Sequence, residues 1–338
     1  MLQAFFHAWE RRLSNVTKDR VVRPFDWGLD WIPENGQPAG EPRAAIDGYV
    51  ASVMADTDAF FTPPPTTDYT LTPAADGDLL TFPSALVTPH ESNNTVRARF
   101  FPANNPKAAV LVMPQWNSDE GGHIGLSKLL AMNGMSALRL SLPYHDQRMP
   151  PELHRADYIV SANVMRTLQV CRQAVLDARR AIAWLKLQGY QRIGILGTSL
   201  GSCLALLTTA HEPLIDAEAL NHISPYFADV VWRGLSTAHV REGLNGHVEL
   251  DLLRAMWQPI SPRGYLERLR DRKTLLIYAR YDLTFPVDLS EDLVRAFKEM
   301  GIPHEVAVLR CGHYSTGKAP FKFVDGFILT KFLRKSLL

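Results

Sequence analysis

Gly197-Thr198-Ser199-Leu200-Gly201 sets a serine between two glycines, after the apolar run 193–196 and before the helix-forming apolar run 202–207. A buried strand, a sharp turn and a helix in that order present a serine hydroxyl as a nucleophile. The glycines matter because a Cβ at either position would crowd the strand and helix that meet there. A helix beginning directly after Ser199 also leaves backbone N–H groups without intrahelical partners, free to face a developing negative charge. The chemistry suggested is attack on a carbonyl carbon.

A serine hydroxyl needs a base to take its proton, and the base needs a carboxylate to orient it. Both occur downstream. The strand-like run 274–279 leads into Arg280-Tyr281-Asp282, which puts Asp282 on a loop at a strand's C-terminal end as the leading acid, with Asp288 and Asp325 as other carboxylates in reach of the role. A second short strand, 305–309, runs into Cys311-Gly312-His313-Tyr314 and offers His313 as the base. Ser199, Asp282 and His313 follow the chain order of the α/β-hydrolases, with the helical stretch 289–300 separating the last two strands.

From about residue 79 to about residue 335 the chain resembles the α/β-hydrolase superfamily, with its nearest look to esterase-like members related to dienelactone hydrolases, acetyl xylan esterases and the catalytic domains of prolyl oligopeptidases. The resemblance implies an acyl-transfer hydrolase that needs no cofactor and no metal, with Ser199 as nucleophile, Asp282 as acid, His313 as base and the Leu200 N–H as half of an oxyanion hole. It places the other half after the fold's third strand, at 108–113. Many relatives carry a His-Gly pair there. This chain instead reads Pro114-Gln115-Trp116-Asn117, so the second donor stays open between Gln115 and Trp116. Trp116 either lines the acyl or alcohol pocket or packs under the loop.

The elements that must position these residues read as an alternation: strand 108–113, helix 124–133, strand 136–141, helix 163–187, strand 193–196, and strands at 219–223, 274–279 and 305–309. Such βαβ order implies an α/β fold, a mostly parallel sheet covered by helices on both faces. In the long helix, Leu168, Cys171, Val175, Ala178, Ile182 and Leu185 recur three or four apart as one packed stripe. The segments 80–87 and 95–101 read as an antiparallel pair at the sheet edge. Residues 1–78 are expected to lie outside this 79–338 unit. Apolar residues at 2, 5, 6, 9 and 13 predict an N-terminal helix that docks on its own domain or on a second subunit of a homo-oligomer, and 14–78, rich in Pro, Asp and Trp, predicts an irregular arm wrapping the hydrolase.

Two insertions are candidates for setting what is accepted. Pro143-Tyr144-His145-Asp146-Gln147-Arg148 follows a strand end on the rim where open α/β sheets bind ligands, so Tyr144, His145 and Arg148 are candidates for holding a polar or anionic substrate group; the alternative is a loop locked by its own bonds. About 224–263, rich in aromatic and leucine residues, predicts a small helical cap whose aromatics either face substrate or form the cap's own core.

Composition excludes other classes. With 36 Lys+Arg against 35 Asp+Glu, the net charge of +1 gives no electrostatic case for nucleic acid or an anionic membrane. Cys171, Cys203 and Cys311 form neither an even set nor a C-x-x-C pair, which argues against a disulfide framework or structural zinc. No P-loop or G-x-G-x-x-G occurs, and His211-Glu212 has Ile215 where a metalloprotease would have its second histidine. The first residues lack the order of a signal peptide, and no run of about 18 apolar residues occurs, so a cytoplasmic chain without a transmembrane segment is expected. The resulting expectation is a serine hydrolase acting on a small-molecule carboxylic ester. A peptidase using the same residues and a non-catalytic binding module of the same fold are the alternatives.

Overall fold

A strand buried on both faces needs an apolar side chain at every position, and Ala-Ala-Val-Leu-Val-Met at 108–113 supplies that. Ala109, Leu111 and Met113 enter one core while Ala108, Val110 and Val112 enter the other, following the period of two that puts successive side chains on opposite faces. The computed structural model describes residues 2–17, 19–33, 41–104 and 106–338. Among these, one sheet has nine strands: β1 (Thr70–Thr72), β2 (Asp78–Pro83), β3 (Thr95–Phe101), β4 (Ala108–Met113), β5 (Met135–Leu140), β6 (Arg192–Thr198), β7 (Ala217–Asn221), β8 (Lys273–Ala279) and β9 (His304–Leu309). Their spatial order is β1-β2-β3-β5-β4-β6-β7-β8-β9. The pairs from β1 to β5 by way of β3 are antiparallel and all others parallel, so the expected antiparallel pair and parallel core are both present, but β1 rather than that pair forms the edge. β2 stops at Pro83 instead of reaching 87, since a proline cannot donate to the ladder.

The α-helices are α1 (Leu2–Ser14), α2 (Pro42–Ala55), α3 (Thr57–Phe61), α4 (Ile124–Met132), α5 (Val164–Leu187), α6 (Leu200–His211), α7 (Phe227–Arg233), α8 (Ala238–Leu244), α9 (Leu250–Met256), α10 (Val287–Glu299) and α11 (Phe321–Leu337). On one sheet face, the α5 stripe from Leu168 to Leu185 packs with α6 and with Leu293 and Phe297 of α10. On the other face lie Phe6 of α1, Leu130 of α4 and Leu329, Phe332 and Leu333 of α11. Among the described residues, no helix is long and apolar enough to cross a membrane.

Residues 14–78 are less irregular than expected. Ala45, Ile46, Val50 and Val53 of α2 are buried at helical spacing, and Pro42 opens the helix at a position where its missing N–H costs nothing. Gly48 and the alanines dilute the pattern in sequence. Elsewhere the segment is tied down by backbone bonds to the start of α5, from Asp26 N to Ala162 O (3.1 Å) and from Val164 N to Asp26 O (3.0 Å). α1 also turns a different face inward than its apolar residues suggest: Phe6, Glu10 and Ser14 are buried, whereas Leu2 and Phe5 are each 60% exposed. Between β7 and β8 the insertion is helical, comprising α7, α8, α9 and short 3₁₀ turns. Its Trp257 is fully buried, with Nε1 donating to Val164 O at 2.9 Å, and so belongs to the core.

Candidate active site

Five loops leave the C-terminal ends of parallel strands on the same edge of the sheet, and they carry Gln115 (after β4), Ser199 (after β6), His222 (after β7), Asp282 (after β8) and His313 (after β9). Ser199 caps α6 with φ 56° and ψ −122°, a conformation that costs a non-glycine residue about 1–3 kcal/mol. Its surroundings hold it there: Ser199 N donates to Asn221 O at 2.8 Å, while Ser199 O accepts from Ser202 N (2.8 Å) and Ser202 Oγ (2.6 Å). A Cβ on Gly197 would overlap the carbonyl of Gly201, and one on Gly201 the carbonyls of Met113 and Pro114. Both glycines are therefore required by close approach of backbone.

His313 Nε2 lies 3.0 Å from Ser199 Oγ, and His313 Nδ1 lies 2.8 Å from Asp282 Oδ2. With Asp282 ionised, Nδ1 carries the proton and Nε2 accepts from the serine hydroxyl, the tautomer a general base needs. Asp282 is buried, which opposes its charge, but the neighbouring His313 and the bonds from His222 and His313 outweigh burial and hold the carboxyl well below its ordinary range. Thr284 N (2.8 Å) and Phe285 N (2.7 Å) both donate to Oδ1. Burial disfavours protonated His313, yet the charge and bond of Asp282, together with the charge of Glu10, raise its pKa above the usual histidine value. Neither of the other carboxylates bonds to His313: Asp288 pairs with Arg233 at the surface, and Asp325, in the cavity wall, accepts from Asn221 Nδ2 at 2.9 Å, its carboxyl pushed up to about 6 by burial.

His222 follows β7 with no motif in the sequence around it to mark it. Its Nδ1 is 3.0 Å from Asp282 Oδ2, the oxygen that also meets His313, and its ring centroid is 4.6 Å from that of His313. It too has a left-handed backbone, φ 57°. His222, Asp282 and His313 have the spacing of a metal-ligand group, within 4.8 Å of one another, but both Nδ1 atoms already share Oδ2 in hydrogen bonds that account for the arrangement.

Leu200 begins α6, so its N–H has no intrahelical acceptor. Opposite it, the loop 114–123 is fixed from below by Arg139 of β5, which donates to Gly122 O (3.1 Å), Asp119 O (2.6 Å) and Asp146 Oδ2 (2.6 Å). Asn117 N donates to His145 Nε2 at 3.0 Å, whereas the backbone N–H groups of Gln115 and Trp116 meet no acceptor among the described residues. The Trp116 side chain lines the cavity, held by Nε1 to Ala156 O (2.9 Å) and stacked 5.7 Å from the His239 ring.

The rim-loop expectation is corrected. Tyr144, His145 and Arg148 are buried, and none lines the cavity. Tyr144 Oη meets His90 Nδ1 at 2.9 Å. Arg148 is fully enclosed, donating to Asp177 Oδ2 (2.8 Å), Asn93 O (2.8 Å) and Ser141 O (2.9 Å). His145 sits between Pro143 O (2.9 Å) and Asn117 N; burial drives its pKa down to about 4, so the ring is neutral and accepts the Asn117 N–H. Tyr144 and Arg148 face inward because their partners lie just past β5, on α5 and on the 88–94 segment, which the loop covers.

Ser199 and His313 open into a cavity of about 960 Å³ whose walls include Phe227, Val230 and Val231 of α7 and Phe285. The thiols nearby are not alternative nucleophiles: burial pushes Cys203 and Cys311 up to about 12. The N-terminal segment reaches the site as well. Glu10 of α1, fully buried, accepts from Tyr314 N (2.8 Å) and Ser315 N (2.9 Å) in the loop that carries His313, while Phe6 stacks on Tyr281 at 4.6 Å, next to Asp282.

No protein-family model and no curated protein matches the chain. Solved structures do. An uncomplexed acylaminoacyl peptidase from Pyrococcus horikoshii superposes with a TM-score of 0.61 at 14% identity over 86% of this chain and 44% of that one. Acetyl xylan esterase from Paenibacillus sp. R4 gives 0.60 at 15%, covering 88% and 97%, and a thermostable carboxyl esterase from Bacillus coagulans gives 0.55 at 11%, covering 81% and 100%. The chain spans about two fifths of the length of the acylaminoacyl peptidases it matches. Together with the sheet order, these likenesses define the α/β-hydrolase fold.

Proposed function

We propose that the protein is a serine hydrolase that cleaves a carboxylic ester through an acyl-enzyme. The observation that carries this reading is the continuous hydrogen-bonded line Ser199 Oγ, His313 Nε2, His313 Nδ1, Asp282 Oδ2, whose Ser199 and His313 line the cavity of about 960 Å³. Ser199 Oγ bonds to the carbonyl carbon as His313 Nε2 takes its proton. The carbonyl oxygen becomes an oxyanion held by Leu200 N–H and a second N–H from Gln115 or Trp116. The ester C–O bond then breaks, and His313 returns the proton to the departing alcohol. Water repeats the sequence on the acyl-serine, releasing the acid and restoring Ser199.

Residues 79–338 carry this machinery in our reading, with residues 1–78 as an extension that supports it. Correspondence over nearly the whole length of the esterases favours an ester over a peptide substrate. Labelling with a fluorophosphonate and peptide mapping tests the assignment: the label belongs on Ser199, and Ser199→Ala keeps the fold but loses both label and ester turnover. Label elsewhere, or near-native turnover by Ser199→Ala, overturns it. A peptide panel hydrolysed faster than an ester panel would move the substrate class.

A further inference from the structure

Among the described residues, the cavity around Ser199 and His313 is lined by four cationic side chains, Arg20, Lys128, Arg155 and Lys322, and by a single carboxyl, Asp325. Most are accounted for. Arg155 pairs with Asp19 and Asp157, Lys128 pairs with Asp76, and Lys322 lies over the ring of Phe323. Asp325 is turned to Asn221. Arg20 has no carboxylate partner among the described residues. Its Nη2 donates to Tyr314 Oη at 3.0 Å; its Nε is closed off from solvent, whereas its Nη1 is open and meets no acceptor among the described residues.

An open guanidinium donor can meet an anionic oxygen directly. Arg20 is also held in place, because Tyr314 Oη meets Ser236 Oγ at 2.6 Å, and Ser236 Oγ meets Thr284 Oγ1 at 2.9 Å. This string of bonds joins the N-terminal segment, the helical insertion and the acid loop beside His313. A guanidinium fixed in a cavity wall with unused donors matches the geometry of an anionic oxygen group.

We propose that Arg20 forms a subsite for an anionic oxygen group, a carboxylate or a phosphate, that the substrate carries apart from its scissile ester. The inference rests on the hydrolase reading and names its substrate class. An ester bearing such a group would bring the oxygen acceptors that Arg20 lacks.

The test compares kcat/KM for p-nitrophenyl butyrate and p-nitrophenyl hemisuccinate, after subtraction of the uncatalysed rate, in the full-length wild type, Arg20→Gln and Arg20→Lys. Arg20→Gln is expected to lose about tenfold to a hundredfold on the hemisuccinate, the scale of one charged hydrogen bond, and about twofold or less on the butyrate. Arg20→Lys keeps the charge and retains part of the preference. Succinate and inorganic phosphate, each at matched ionic strength, serve as competitors against the butyrate and as ligands in thermal melting. Competition and a raised Tm with one of them, lost in Arg20→Gln, identify the group as carboxylate or phosphate. Equal losses on both esters, or wild type that neither prefers the hemisuccinate nor responds to either anion, overturn the subsite. Ser199→Ala on the butyrate keeps that result separate: its inactivity with an absent Arg20 effect refutes the subsite alone. Wild type inactive on both esters and unlabelled at Ser199 refutes the hydrolase reading instead, and the melting arm still decides whether Arg20 binds an anion.

Discussion

Glu10 lies far from Ser199 in sequence, yet its replacement is expected to change both stability and the pH dependence of turnover. The carboxylate accepts the Tyr314 and Ser315 N–H groups, and Gly312 has no room for a Cβ because Glu10 fills the space. Glu10→Gln keeps one oxygen acceptor and turns an amide NH₂ toward the other N–H, leaving one buried donor unmet at about 1–3 kcal/mol. Glu10→Ala strands both, for about twice that. The charge matters separately. His313 is faced by Asp282, by His222, by Ser199, by its neighbour Tyr314 and, through the loop, by Glu10, whose negative charge helps raise the histidine's pKa. Protonated His313 cannot take the serine proton, so activity falls as pH drops through that raised pKa. Removing the Glu10 charge lowers the pKa, and the acid limb of kcat/KM should move to lower pH. Profiles of wild type and Glu10→Gln on one neutral ester, with thermal melts of both, make the measurement. A less stable variant whose acid limb does not move, or moves upward, refutes the electrostatic part of this reasoning.

Asp282→Asn should lower kcat by about 10⁴-fold on the scale of triad acids, with the fold retained; a small loss there with a large one for Asp325→Asn would transfer the acid role. His222→Ala removes one of the four bonds that hold the Asp282 carboxylate, counted as two from backbone and two from rings, and should lower kcat more than it raises KM. An unchanged kcat would reduce His222 to packing. Arg148→Ala leaves Asp177 charged and enclosed, so a loss of about 3–5 kcal/mol is expected in denaturant melts, without discrimination between neutral and anionic esters. Selective loss on the anionic ester would restore the rim loop as a binding element. His145→Ala frees the Asn117 N–H and loosens the loop that bears Gln115 and Trp116, so kcat should fall with KM nearly constant. A loss confined to KM would place His145 in binding.

Local signals made the frame legible. β4, β6 and β8 are short apolar runs ended by Gly, Pro or Asp, and α5 repeats its apolar stripe over 24 residues, so neither needed a remote partner to be recognised. Ser199 was readable because two glycines and a strand constrain it from within five positions. α2 is not, because alanine and glycine blur its periodicity and the surface it packs on, at α9 and the 258–260 turn of the helical insertion, cannot be seen from the segment itself.

The residues that were misplaced or missed share one property: their roles depend on bonds to partners distant in the chain. Arg148 reads as a rim cation until Asp177, 29 positions later, is found beside it. Glu10 is not one of the apolar positions that mark the N-terminal helix, and its role depends on the loop at 314–315, more than 300 positions away. His222 follows a strand with no motif around it and acquires meaning only through Asp282, 60 positions on. A charged side chain in sequence therefore fits two opposite environments, water or a buried partner, and the cost of burying it unpaired decides only once the fold has brought the partner in. Of the two cations that reach the cavity without a carboxylate to meet them among the described residues, Lys322 and Arg20, Arg20 is held in place by Tyr314, which is why an acceptor from outside the chain is the natural completion of that site.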